Sequence, residues 1–211
     1  MLLLAWPRLQ ASYRYLPVEI AIDRYFTSRE IPSDRLPVLI RYAEESIGYQ
    51  DHYRFHDGLS MLHLLRAQDY ATPAMERRGA YEEAASEAEA SLYRSPAQSD
   101  TWVRLAVIRW ILHEEPESIL AAWKMSIFTG RTHSSVIIPR MEIGLAHREY
   151  MDEEAVSMLR DQLLLAWRMQ AGSLIRVLHA RDRGLAITRP LIENTDPAAL
   201  LEMETWIERL R

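Results

Sequence analysis

Between its proline and glycine breakers the chain repeats apolar residues at intervals of three and four, and no segment alternates apolar with polar for long enough to read as a strand. The pattern predicts an all-α protein of about nine or ten helices. Pro17 is expected to begin the first. A second is expected over "PSDRLPVLIRYAEESIGY", with Ser33 as its N-cap, Pro37 tolerated early, and Leu36, Leu39, Ile40, Ala43 and Ile47 as its apolar stripe. A third covers Asp51 to about Tyr70, with Leu59, Leu62 and Leu65 inward, and stops before Pro73. The Ala- and Glu-rich run "MERRGAYEEAASEAEASLYRSP" reads as a strong helix ended by Pro96.

The second half continues in the same manner. "DTWVRLAVIRWILH" follows an Asp100 cap, and "EPESILAAWKMSIFTG" runs from Pro116 to Gly130. Next come "SSVIIPRMEIGLAHREY", then "DEEAVSMLRDQLLLAWRM" capped by Asp152, and shorter pieces divided by Gly172 and Gly184. The last helix places Asp196 at N-cap and Pro197 at N1, with Arg209 and Arg211 at its end, matching the helix dipole. No long linker divides the chain. A single all-helical domain, 1–211, is expected: N-terminal helices over 1–75, a central core over 76–150 and C-terminal helices over 151–211.

A shift of 34 residues pairs Ala84 with Ser118, Ala88 with Ala122 and Pro96 with Gly130, so small residues meet small residues and a helix stopper meets a helix stopper. With Trp102, Leu105 and Ala106 between them, residues 81–130 resemble the tetratricopeptide repeat. That unit is a 34-residue helix–turn–helix with Trp, Leu and a small residue on its first helix and a closing Pro. Two helices approach closely only where small side chains meet, which assigns Ala88, Ala106 and Ala122 to helix crossings. Beyond this span the match decays. Pro139 and Arg140 fall where Leu and a small residue belong, although Ile143 and Gly144 fit after a four-residue insertion. The resemblance implies a short α-solenoid of stacked antiparallel helix pairs that binds peptides or helices in a concave face and has no catalysis of its own.

"TWVRLAVIRWILH" is apolar nearly all round, with Arg104 and Arg109 as its clear polar exceptions. Such a helix is either enclosed by its own chain or covered by a partner. In the repeat's register its groove positions are Val103, Val107, Trp110 and Ile111, with Trp110 as the anchor for an apolar helix or peptide of a protein partner. "LRDQLLLAWRM" carries a similar apolar excess, through Leu159, Leu163, Leu164, Leu165, Ala166 and Trp167. It reads as central core or as a self-association surface, which leaves a homo-oligomer open.

Composition narrows the classes. The net charge of −5 and pI near 5.8 disfavour nucleic acid and anionic lipid as partners. The arginines between Arg160 and Arg189 read as a solvated face. With no cysteine, disulfides, thiolate catalysis and cysteine zinc sites are excluded. "MLLLAWPRLQ" is too short an apolar run for a signal peptide or a span, and Leu3, Leu4 and Trp6 are expected to dock on the body. A cytoplasmic protein is the default expectation. Membrane contact would require an anchor that precedes Met1, making this the soluble part of a membrane-associated assembly.

One stretch carries candidate chemistry. In "QDHYRFHDGLSMLH", a continuous helix projects His52, His56 and His63 within roughly 40° of one another. His52 and His56, completed by Asp57 or Asp51, are the candidate ligands of a helical metal-binding protein or enzyme. Against this, residue 53 is Tyr where a zinc-protease helix carries its Glu base, and His63 lies roughly 16 Å along the axis from His52. The competing reading is a polar, partly buried helix in which His56 and Asp57 hydrogen-bond to neighbours while Tyr53 and Phe55 pack. "THSSV" around His133 reads as a turn and cap, and Glu82, Glu83, Glu87 and Glu89 as a solvated face. The expectation is a noncatalytic adaptor with no cofactor.

Overall fold

A computed structural model describes residues 2–28, 30–182 and 185–209. The expected division at Gly184, the Arg211 terminus and the side chains of Leu3 and Leu4 lie outside the described residues. Ten α-helices, two short 3₁₀ turns and no strand occur among them. The helices are α1 (Leu2–Ser28), α2 (Leu36–Tyr49), α3 (Tyr53–Gln68), α4 (Ala74–Arg94), α5 (Ser99–Ile111), α6 (Pro116–Thr129), α7 (Ser134–Ala146), α8 (Glu153–Arg181), α9 (Thr188–Ile192) and α10 (Pro197–Glu208). The chain is therefore all-α, with consecutive helices packed as pairs. It forms two compact units, Met1–Ala97 and Gln98–Arg211, and the break lies just after Pro96.

In the first unit α1 packs on α2 and α3 on α4, with α2 against α3. Ala11, Tyr15 and Val18 of α1, Leu36, Leu39, Ile40 and Ala43 of α2, and Phe55, Leu59 and Leu62 of α3 form its core. Pro17 does not begin the first helix; it lies within it, as does Pro7. An interior proline costs roughly 3 kcal/mol through its missing N–H and its ring. Burial of Ala11, Tyr15 and Val18 on either side of it offsets that cost, because each fully buried large side chain contributes roughly 1.5–3 kcal/mol. Trp6 does not dock: its side chain stands largely in solvent. Ser33 opens a 3₁₀ turn instead of capping α2, whose N-cap is Arg35, although Pro37 falls in the first turn as expected.

The α3–α4 pair approaches closely because small groups meet. The Ser60 hydroxyl donates to the Ala84 carbonyl at 2.8 Å and the Ser91 hydroxyl to the Tyr53 carbonyl at 3.0 Å, while Ala80, Ala84 and Ala88 are buried. Gly58 has the same cause. A Cβ there would lie 1.8 Å from the Tyr15 hydroxyl, which donates to the Arg54 carbonyl at 3.0 Å, so α1 reaches α3 only because residue 58 has no side chain.

In the second unit α5 pairs with α6 and α7 with α8, and α10 packs on α8. Ala106 and Ala122 are fully buried, as expected of small residues at helix crossings, and Leu105 is buried with them. Ile143 and Gly144 are also buried, with Leu159 Cδ1 only 2.6 Å from where a Gly144 Cβ would sit. Asp152 and Asp196 cap their helices as expected, accepting from Ala155 N–H at 2.8 Å and Ala199 N–H at 3.0 Å. Asp100 does not cap α5: the N-cap is Gln98, and Asp100 in the first turn accepts from the Ser135 hydroxyl at 2.9 Å. The expected division at Gly172 falls instead at Gln170, whose φ of −147° and ψ of 46° interrupt α8. Leu159, Leu163 and Ala166 are fully buried, so that segment of α8 is central core of the unit.

Candidate functional site

The groove positions on α5 have unequal surroundings. Val103 is buried, Val107 and Trp110 are half-buried, and Ile111 is 37% exposed at the helix end. Trp110 is held on two sides by its own unit. The His147 ring, at the end of α7, meets it edge-on with centroids 5.3 Å apart, and the Arg181 guanidinium from the end of α8 lies 5.1 Å from its centroid. Such a cation–π contact contributes roughly 0.5–1 kcal/mol at a partly exposed site. The His147 Nδ1 in turn lies 3.0 Å from the Ile143 carbonyl, which orients the ring. The arginine-bearing segment expected to be a solvated face thus sends Arg181 onto an aromatic ring, while Arg189 pairs with Glu204 at 2.7 Å.

The histidine stretch is divided by the start of α3. His52 is the N-cap, with extended backbone, and its Nδ1 accepts the Arg54 N–H at 3.3 Å. It therefore lies outside the helix that would have projected it beside His56. His56 is buried and points to α4, where Nδ1 lies 2.6 Å from Glu87 Oε2, and its Nε2 lies 2.8 Å from Asp51 Oδ1. The Glu87 hydrogen bond is the largest influence raising the His56 pKa above its ordinary value, with Asp51 adding to it against the cost of burial. Asp51 also accepts from Arg94. That guanidinium, followed by His56, lowers the Asp51 pKa to about 2. Both imidazole nitrogens of His56 are thus occupied by carboxylates in a ladder that ties the α3 entrance to α4. Among the described residues no group of three His, Asp or Glu side chains is placed to hold a metal ion. Asp57 is half-buried on α3, while Phe55 packs on Tyr15 with centroids 4.8 Å apart.

His63, about two turns further along the same face of α3, is buried, and burial lowers its pKa. The Glu83 carboxylate lies 3.0 Å from Nδ1, yet makes no hydrogen bond to it, so desolvation outweighs the ion-pair attraction. The sequence places Glu87 on a solvated face with Glu82, Glu83 and Glu89. The other three are exposed, whereas Glu87 turns to His56. The i, i+4 relation of Glu83 and Glu87 reveals an α4 face, but only the α3–α4 pairing assigns a histidine to it.

Nothing in the sequence marks Arg140 as a hub, yet its side chain is fully buried in the second unit. Its guanidinium donates to Ser126 Oγ at 3.0 Å, Gln162 Oε1 at 3.1 Å, Ser99 Oγ at 2.7 Å and the carbonyls of Gly130 at 3.0 Å, Arg131 at 3.3 Å and Ser126. All these acceptors are neutral. Burial lowers its pKa to about 10, which leaves it protonated at neutral pH. It gathers the carbonyls at the C-terminal end of α6, where a cation also meets the negative end of the helix dipole. A buried cation thus closes the α6–α7 turn.

A cavity of about 580 Å³ in the first unit opens between the exposed side of α1 and the segment after it, lined by Leu16, Pro17, Ile20, Arg24, Ile31 and Leu39. Among the described residues no helix is long and apolar enough to cross a membrane. The chain matches no protein-family model, and no curated protein is significantly similar to it.

Proposed function

We propose that this protein is a noncatalytic helical adaptor of tetratricopeptide-like type, which takes an apolar helix or peptide of a protein partner along the end of α5. The observation that supports this most is Trp110, half-exposed and already held by His147 and Arg181. An aromatic anchor fixed before binding loses little entropy when a partner covers it. Val103 is buried, so the contact set is Val107, Trp110 and Ile111. The buried small residues Ala88 and Ala122, 34 positions apart, with Ala106 buried between them, support the repeat reading.

The test is affinity capture from a native extract with the full chain and with Ile111→Glu, chosen because Ile111 is exposed whereas Trp110 also packs within the unit. A specific partner lost in Ile111→Glu, with unchanged thermal unfolding, supports the reading. An identical partner set for both proteins overturns the α5 assignment. The reading centred on His52 and His56 has less support, because His52 lies outside the helix as its N-cap and carboxylates engage both nitrogens of His56. Metal analysis of the purified protein tests it directly. The reading as part of a membrane-associated assembly is tested by the coding sequence upstream of Met1, where an in-frame apolar span of about twenty residues is required.

A further inference from the structure

Helix α1 has two apolar stripes on opposite sides. The inward one is Ala11, Tyr15, Val18 and Ile22, packed on the core. The outward one is Trp6, Leu9, Tyr13, Leu16 and Ile20, whose residues are 59%, 61%, 75%, 48% and 44% exposed. Their spacing alternates three and four, which is the a and d positions of a heptad, and at 100° per residue all five lie within an arc of roughly 80°. A helix that already has its core face covered has no folding reason to repeat apolar residues on the other.

We propose that this outer seam is a self-association surface, closed by the same seam of a second copy of this chain running antiparallel. The area argues for a dimer. With full side-chain areas of about 200 Å² each, the five exposed fractions amount to roughly 600 Å² per copy, so two copies bury about 1,200 Å², above the roughly 1,000 Å² that a specific interface needs. The direction follows from the charges. A parallel pair would set Asp23 against Asp23 and Arg24 against Arg24, whereas an antiparallel pair centred between Arg14 and Tyr15 sets Tyr13 against Leu16 and Leu9 against Ile20. The same register sets Trp6 of the second copy at the level of Asp23, between Ile20 and Arg24, where the cavity of about 580 Å³ opens beside the seam. A two-fold axis makes each contact twice.

An anionic lipid surface fits less well. Lipid-binding helices carry a Lys- and Arg-rich polar face, whereas α1 has three arginines against Glu19 and Asp23, with Arg14 paired to Glu45 and Glu19 to Arg54. This surface lies in the first unit and is independent of the α5 contact set, so either proposal can fail without the other.

Equilibrium sedimentation of the full chain in the micromolar range is expected to give twice the 24.6 kDa chain mass. Leu16→Glu should return it to one chain mass with unchanged helical circular dichroism, since Leu16 is exposed. A monomeric wild type, or a dimer that Leu16→Glu leaves intact, overturns the proposal. So does a wild type that floats as a monomer with phosphatidylcholine–phosphatidylglycerol vesicles. Cysteine cross-linking reads the direction, because the chain has no cysteine of its own. Mixed Leu9→Cys and Ile20→Cys proteins should form a disulfide that Leu9→Cys alone does not, its two copies being roughly 16 Å apart along the axis. Equal cross-linking of Leu9→Cys with itself overturns the antiparallel arrangement.

Discussion

The indole N–H of Trp123 donates to the backbone carbonyl of Arg140 at 2.9 Å, with both side chains fully buried. Trp123 thereby satisfies a carbonyl within α7 while the Arg140 guanidinium turns back to the end of α6. The two residues bind α6 and α7 in both directions: one helix supplies a donor to the other's backbone, and the second returns donors to the first.

Replacing Arg140 with Met should be among the most damaging single changes in the second unit. It strands buried carbonyls and hydroxyls that cost about 1–3 kcal/mol each when left without a donor, so a loss of roughly 3 kcal/mol or more is expected. Arg140→Lys should be intermediate, because one ammonium cannot span acceptors arranged around a planar fork. Urea unfolding measures both. A loss below 1 kcal/mol for the Met variant, taken as about one ordinary hydrogen bond, would contradict the hub.

Gly58→Ala should destabilise the first unit by forcing the Tyr15 hydroxyl off the Arg54 carbonyl. Tyr15→Phe removes the atom that clashes first, so the double variant should lose less than the sum of the singles. A double-mutant cycle with a coupling energy of about 0.5–3 kcal/mol is the expected signature for residues in contact. Strict additivity would show that the close approach does not matter.

Stability should depend on pH through two histidines acting in opposite senses. The His56 pKa is raised by Glu87 in the folded chain, so its contribution is complete below about 6.5, the unfolded value, and is lost as pH rises through the folded-state value. The His63 pKa is lowered by burial, so its contribution is present above about 6.5 and is lost as pH falls through its depressed value. Unfolding free energy measured across this range should therefore fall on both sides. Glu87→Gln should flatten the alkaline side, and imidazole titration by NMR should show His56 above His63. The reverse order would refute the ladder.

Asp196→Ala should cost about 1 kcal/mol by leaving the Ala199 N–H without its cap, while Asp196→Asn, which can accept the same bond, should cost far less. Thermal unfolding of the two variants side by side is the measurement. Equal losses would mean that charge at the helix start, and not the cap bond, stabilises α10.

Much of the helical framework was legible because its causes are local. Pro73 and Pro96 precede or end helices, Pro116 and Pro197 open them, and Asp152 and Asp196 accept the N–H three residues on, each within one turn of sequence. The positions of Ala88, Ala106 and Ala122 followed from spacing, since a helix crossing selects for small side chains wherever it occurs. The α1 seam is equally local, a heptad in plain order, but Pro17 reads as a helix start, and the first four seam residues precede it.

The sequence by itself determined that this chain is a succession of helices, where most of them stop, and which small residues lie between them, because hydrogen bonding within a turn and apolar periodicity act over a few residues. Tertiary structure alone decided that α1 continues through Pro17, that Glu87 reaches His56 across 31 positions, that Tyr15 needs Gly58, and that Arg140 is enclosed by four segments. Each of these depends on which helices become neighbours, and that choice is set by the summed burial of whole faces, a quantity no short stretch contains.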